Sequence, residues 1–193
     1  MPAPATSQPS LWHRAPLLLL FLNALAAALA CTNLRTQQST FNTDSLQLLR
    51  TMAPNRTVLC QQAPFAFPDT LRVANHPQQA TATIRHILQQ LFNTLSNETI
   101  PDHWDRQAHQ QLLNKLHHHI HQLQQYLTQC FPESTTLSKR QELRNARLTV
   151  NTYFQPMRDF LRTHSHSSCA WDIVRLEFNT CFQNIHNLTR TMT

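Results

Sequence analysis

The sequence predicts an all-α protein, a five-helix bundle in which four helices run up-up-down-down, one more is added, and a long crossover loop follows the first. Three observations carry this reading: glycine is absent from all 193 residues, five segments repeat their apolar residues at helical spacing, and a proline-punctuated stretch separates the first two. Glycine supplies the positive φ of hairpin turns and the close approach of backbone to phosphate, so its absence excludes a P-loop or a dinucleotide-binding turn and argues against β architecture. No segment reads as a strand, and no internal repeat is found.

The first helix covers residues 34–52, where Leu34, Phe41, Leu48, Leu49 and Met52 fall on one face before Pro54 stops the pattern. From Ala53 to Pro77 the chain holds Pro54, Pro64, Pro68 and Pro77, and Phe65 and Phe67 mark it as a crossover strapped to the core. In the second helix Ala80, Ile84, Ile87, Leu88, Leu91, Phe92 and Leu95 follow the i, i+3, i+4, i+7 template, which ends near Ser96. A third begins around Trp104, after Pro101 and Asp102, and carries Ala108, Leu112, Leu116, Ile120, Leu123 and Leu127 to Cys130. The fourth, residues 139–163, shows Leu143, Ala146, Val150, Phe154, Met157 and Leu161 on one side. Pro156 inside it predicts a kink or break near Thr152 to Gln155, because an interior proline removes a backbone hydrogen bond and clashes with the preceding turn. The fifth, residues 168–190, turns Ala170, Val174, Phe178, Cys181, Phe182, Ile185 and Leu188 inward.

Residues 1–30 read as a secretory signal peptide: His13 and Arg14 precede an apolar run from Leu17 to Ala30 that ends in Ala28-Leu29-Ala30. The run is too short to span a bilayer, and no later segment qualifies. The predicted mature domain is therefore 31–193, secreted and extracellular, with no membrane insertion. Removing Arg14 takes the formal charge from +6 to +5. The basic residues are spread along the chain without a nucleic-acid motif, so nucleic acid is not an expected partner.

Five cysteines follow the signal, and a secreted chain without metal-like Cys-x-x-Cys spacing should pair four of them. Cys181, on the apolar face of the last helix, is the best candidate for the unpaired one. Sequons at Asn55, Asn97 and Asn187 permit glycosylation, with Asn187 inside a predicted helix. The run His117-His118-His119-Ile120-His121 places His117 and His121 one turn apart, as two zinc ligands would be. A zinc site needs three or four convergent ligands, and the rings point largely away from Leu116 and Ile120, so a solvated face is preferred and no metal or other cofactor is expected. Arg140, Arg144 and Arg147 form a basic strip that reads as solvent-facing. His164 or His166 beside Cys169 offers no nucleophile signature, and no catalytic residue is assigned. On the last helix, the 100° step puts Arg175, Asn179 and Gln183 on one outer strip flanked by Leu176 and Thr180.

The segment Cys169-Ala170-Trp171-Asp172-Ile173-Val174-Arg175-Leu176-Glu177 resembles the Cys-Ala-Trp signature that opens the last helix of type I interferons. Gln78 to Ser96 is similar to the family's second helix, Phe67-Pro68 to the Phe-Pro of its first long loop, and Tyr153-Phe154-Gln155 to a run in its fourth helix. Thr40 to Pro54 and the His186-Asn187-Leu188-Thr189 ending are similar to the alpha and beta interferons of birds. The likeness covers residues 31–193. It implies a five-helix cytokine bundle, not an enzyme, that acts as a monomer on a receptor of two different chains whose cytoplasmic kinases induce an antiviral state. It also implies bridges Cys31 to Cys130 and Cys60 to Cys169, and a main receptor contact centred on Arg175, with Leu176, Asn179, Thr180 and Gln183 around it. The crossover between Cys60 and Phe67 is shorter than in mammalian members and has no counterpart to their receptor-contacting arginine. The competing readings are a helical cytokine with another receptor and a metal-binding bundle that uses the histidines.

Overall fold

The computed structural model describes residues 33–53, 65–96, 100–131 and 136–192. Among them lie helices α1 (Leu34–Met52), α2 (Pro77–Leu95), α3 (Arg106–Cys130), α4 (Leu137–Thr163) and α5 (Ser168–Thr189), with a short 3-10 turn at Asp69–Leu71. The described residues contain no strand.

The starts of four helices follow from local chemistry. Asp105, Thr136 and Ser167 cap α3, α4 and α5 by accepting from the backbone N–H three residues on. At α2, Pro77 occupies the first helical position, where its missing N–H costs nothing, and His76 Nδ1 accepts from Gln79 N at 3.1 Å. The end of α4 shows how a chain without glycine turns a tight corner. Ser165 (φ 49°) and His166 (φ 53°) both adopt the left-handed conformation. Their N–H groups return to Arg162 O at 3.1 Å and Leu161 O at 2.7 Å. This is the Schellman pattern, with serine in the place glycine usually takes, at a cost of roughly 1–2 kcal/mol per left-handed residue.

Cross-helix pairings set the topology. Asp44 with Lys115 (2.8 Å) and Gln38 with His119 (2.8 Å) make α1 and α3 antiparallel. Leu95 O with His109 (2.9 Å) and Phe92 with His117 (ring centroids 5.9 Å) do the same for α2 and α3. His76–Glu142, His86–Asn151 and Gln90–Arg158 advance together along α2 and α4, which are therefore parallel. The start of α5 lies beside Trp104 and its later part reaches Phe41, so α5 runs with α3. Helices α1 and α2 are up, α3 and α5 are down, and α4 is the added helix.

One hydrophobic core joins all five helices and the strap. Phe67 is buried with its ring edge-on to Tyr153 at 5.1 Å, and Phe65 packs edge-on to Phe160 at 5.7 Å, so the described end of the crossover lies against α4. Two expectations are corrected. Helix α4 has no break at Pro156, because buried Tyr153 and Phe154 before it and Met157 and Leu161 after it hold both halves against the bundle. His119 is not on a solvated face: it is 4 % exposed, whereas His117, His118 and His121 are exposed. Leu112, Leu116, His119 and Leu123 follow the spacing of an inward seam, and the run of like residues masked that register.

Candidate functional site

The C-terminal helix carries the candidate surface, and its orientation is set by its first turns. Trp171 is fully buried and meets Trp104 edge-on at 5.3 Å. Trp104 Nε1 donates to Asp172 Oδ1 at 3.1 Å, and His103 Nε2 lies 3.1 Å from the same oxygen. A buried carboxylate so bonded pins the rotation of α5 about its axis. Further along, Val174, Phe178, Cys181, Phe182, Ile185 and Leu188 are all buried. The flank facing α4 is closed by Tyr153, whose hydroxyl donates to Glu177 and lies 3.6 Å from Cys181 Sγ. Burial raises the pKa values of Tyr153, Glu177 and Cys181 alike, so at neutral pH the phenol and thiol stay protonated.

The opposite face holds the strip read from the sequence. Leu176 is 57 % exposed and Gln183 is exposed, but Arg175, Asn179 and Thr180 are half-buried rather than fully outward. Arg175 Nε and Asn179 Oδ1 are covered yet find no hydrogen-bond partner among the described residues, and Arg175 forms no ion pair there. The strip thus offers a stem-buried guanidinium, one turn from an amide, beside an exposed apolar side chain. That combination suits binding to another protein: the arginine stem is partly ordered before contact, and its charge meets no carboxylate among the described residues.

The remaining predicted positions fall as follows. Cys130 and Cys169 are each disulfide-bonded, and Cys181 is a free buried thiol. Cys31, Cys60, Asn55, Asn97 and residues 1–30 lie outside the described residues. Asn187 is exposed on α5, while the hydroxyl of its sequon partner Thr189 is buried and donates to Ile185 O at 2.7 Å. No group of three or more metal-ligating side chains converges among the described residues. No helix there is long and apolar enough to cross a membrane.

Sequence reasoning missed the polar side of the core. Gln38, Asn42 and Ser45 of α1 are buried, and His119 stacks on Phe41 with ring centroids 3.9 Å apart while its nitrogens face Gln38 and Gln122. The available signal was position: these α1 residues share a face with Phe41, Leu49 and Met52, and polarity disguised it.

Comparison with known proteins decides the family. A match to the interferon alpha/beta domain covers residues 34–192. The chain belongs to the type I interferon family. It is 43 % identical over 192 residues to an interferon of the turkey, Meleagris gallopavo, with 98 % of each chain covered. Interferon type A1/A2 of the chicken, Gallus gallus, is 42 % identical, covering 98 % of this chain and 97 % of the relative. Among solved structures, zebrafish interferon 2 superposes with a TM-score of 0.65 at 17 % identity, covering 76 % of this chain and 96 % of that one, and supports the fold. Family members are cytokines rather than enzymes, and this type I interferon is read as one.

Proposed function

We propose that this interferon is a secreted antiviral cytokine that engages a two-chain cell-surface receptor, with the outer strip of α5 as its main contact, and that signals through the receptor's kinases. The observation that supports the strip is the half-buried Arg175, whose Nε has no hydrogen-bond partner among the described residues, next to exposed Leu176 on a helix locked by Trp171 and Asp172. Asn179, Thr180 and Gln183 complete the footprint. Truncating an anchor of this kind costs about 2 kcal/mol or more, a loss of roughly thirtyfold in affinity. The test is binding of Arg175→Ala to the cognate receptor ectodomain, with Arg106→Ala, an exposed arginine in α3's first turn, as the control. Unchanged affinity for Arg175→Ala would move the interface elsewhere. Protection of cells against virus should vanish when the type I receptor is deleted. Protection that survives the deletion would mean a different receptor.

In this reading residues 1–30 are removed as a signal peptide, the mature monomer is 31–193, and glycans are carried at Asn55, Asn97 and Asn187. The bridges are Cys31 to Cys130 and Cys60 to Cys169. The free thiol of Cys181 and the bonded state of Cys130 and Cys169 support that pairing. Each bridge closes a loop of about 100 residues, worth roughly 4 to 5 kcal/mol in the chain-entropy account. Non-reducing peptide mapping should recover those two pairs, and a bridge containing Cys181 would overturn them.

A further inference from the structure

We propose that the cleft between α2 and the first half of α4 is a binding site for the sulfate groups of an extracellular sulfated polysaccharide, seated on Arg85 and Arg147. The cleft has a volume of about 160 Å³ and is lined by Ala82, Thr83, Arg85, His86, Leu143, Ala146 and Arg147, with no carboxylate. Arg85 is half-buried, and its Nε is covered with no hydrogen-bond partner among the described residues. Burial and the proximity of Arg147 both weaken its hold on its proton, as expected where two guanidinium groups share a space with no carboxylate among its described lining residues.

The surroundings extend the site. Lys139, Arg140 and Arg144 are exposed on α4, and together with Arg147 they make no ion pair among the described residues. Within α2 and residues 137–150 the sole acidic residue is Glu142, which faces His76 at 3.3 Å. Arg140, Arg144 and Arg147 recur at helical spacing and span about 10 Å along the axis, so a linear polyanion laid along α4 meets several cations in succession. Guanidinium groups bind planar or tetrahedral oxyanions through paired N–H donors, which suits sulfate.

The shape selects among polyanions. A concave seat receives a group that projects from a chain better than the flat surface of a bilayer, and exposed Leu137 and Leu148, about 16 Å apart along α4, are two isolated apolar side chains rather than a continuous inserting face. Nucleic acid binding without sequence preference relies on aromatic platforms for bases, and the cleft has none beyond the His86 ring, whose Nε2 is engaged by Asn151 Oδ1 at 2.9 Å. The choice of an extracellular polymer rests on the secretion proposed above. The site itself is separate from the α5 strip, so loss of one reading leaves the other standing.

The test is affinity for immobilised heparin at physiological salt, about 0.15 M, with helicity checked by circular dichroism. The Arg85→Ala/Arg147→Ala protein should bind at least about tenfold more weakly than the parent, and Arg35→Ala/Arg50→Ala, with the same loss of charge on α1, should stay within about twofold. Because Arg85 is partly packed, Arg147→Glu alone, at an exposed position, should also weaken binding by more than the α1 pair. Equal losses in both double variants would reduce the effect to net charge and overturn the site. So would undiminished binding to fully desulfated heparin, or tighter binding to double-stranded RNA or to phosphatidylserine vesicles with the same dependence on Arg85 and Arg147.

Discussion

Along α2 the inward residues are Ala80, Ile84, Ile87, Leu88, Leu91 and Leu95, joined by threonines of which Thr81 and Thr94 return their hydroxyls to their own helix, at Pro77 O and Gln90 O. Along α1 they are Leu34, Phe41, Leu49 and Met52 interleaved with Gln38, Asn42 and Ser45, whose polar atoms reach toward other helices or find no partner among the described residues. Both faces are equally hidden from water, but they are stabilised differently. Helix α2 depends on apolar area and close packing, which respond little to pH. The α1–α3 contact depends on groups that must be hydrogen-bonded or neutral to be tolerated inside, and it is therefore a part of the bundle that solution conditions can loosen.

The largest expected effect is on the apolar side. Phe178 of α5 is fully buried in the core shared with α2, and Phe178→Ala should cost about 3–5 kcal/mol, the lost transfer energy of the ring plus the cavity it leaves. Urea denaturation measures it, and a loss below about 1 kcal/mol would mean that this side is not close-packed.

Next comes acid sensitivity on the polar side. Burial lowers the His119 pKa from 6.5 to about 4, against a smaller opposing effect of the Gln122 hydrogen bond, with His118 adding a further lowering. Asp44, Lys115 and His118 line the groove beside it. A neutral ring carries one N–H, so it donates to one glutamine oxygen and accepts from the other amide once that amide presents its nitrogen. Between pH 6.5 and 4 the unfolded chain binds a proton at this site that the folded chain refuses. The stability is therefore full above pH 6.5 and declines as pH falls toward 4, by roughly 3 kcal/mol in all. His119→Gln keeps polar contacts and cannot titrate, so its melting temperature should fall less than the parent's between those pH values. Parallel pH profiles would assign the acid sensitivity to another group.

The smallest effect has the opposite sign. Ser45 Oγ is buried without a partner among the described residues, so Ser45→Ala should be neutral or stabilising by up to about 1 kcal/mol. A loss of similar size in thermal unfolding would show that the hydroxyl is satisfied, as by an internal water.

Helical periodicity by itself determined the five helices, the ends of α1 and the inward face of α5, because the spacing of apolar residues is a local property that burial in any bundle must respect, while Phe65 and Phe67 marked the described end of the crossover as packed. The Cys-Ala-Trp segment was likewise legible, since its residues are contiguous. Four things were settled only when the helices packed. Pro156 stays within a continuous α4 because contacts on either side outweigh the lost backbone bond. His119 turns inward against Phe41, since a partner helix supplied the amide and ring that make its burial tolerable. Arg175 is half-covered, because how deeply an outer position sits depends on its neighbours across the bundle. Arg85 and Arg147, 62 positions apart in a chain whose basic residues look scattered, share one cleft because parallel α2 and α4 bring them together. Charge convergence of that kind is a long-range property, and no window along the sequence contains both residues.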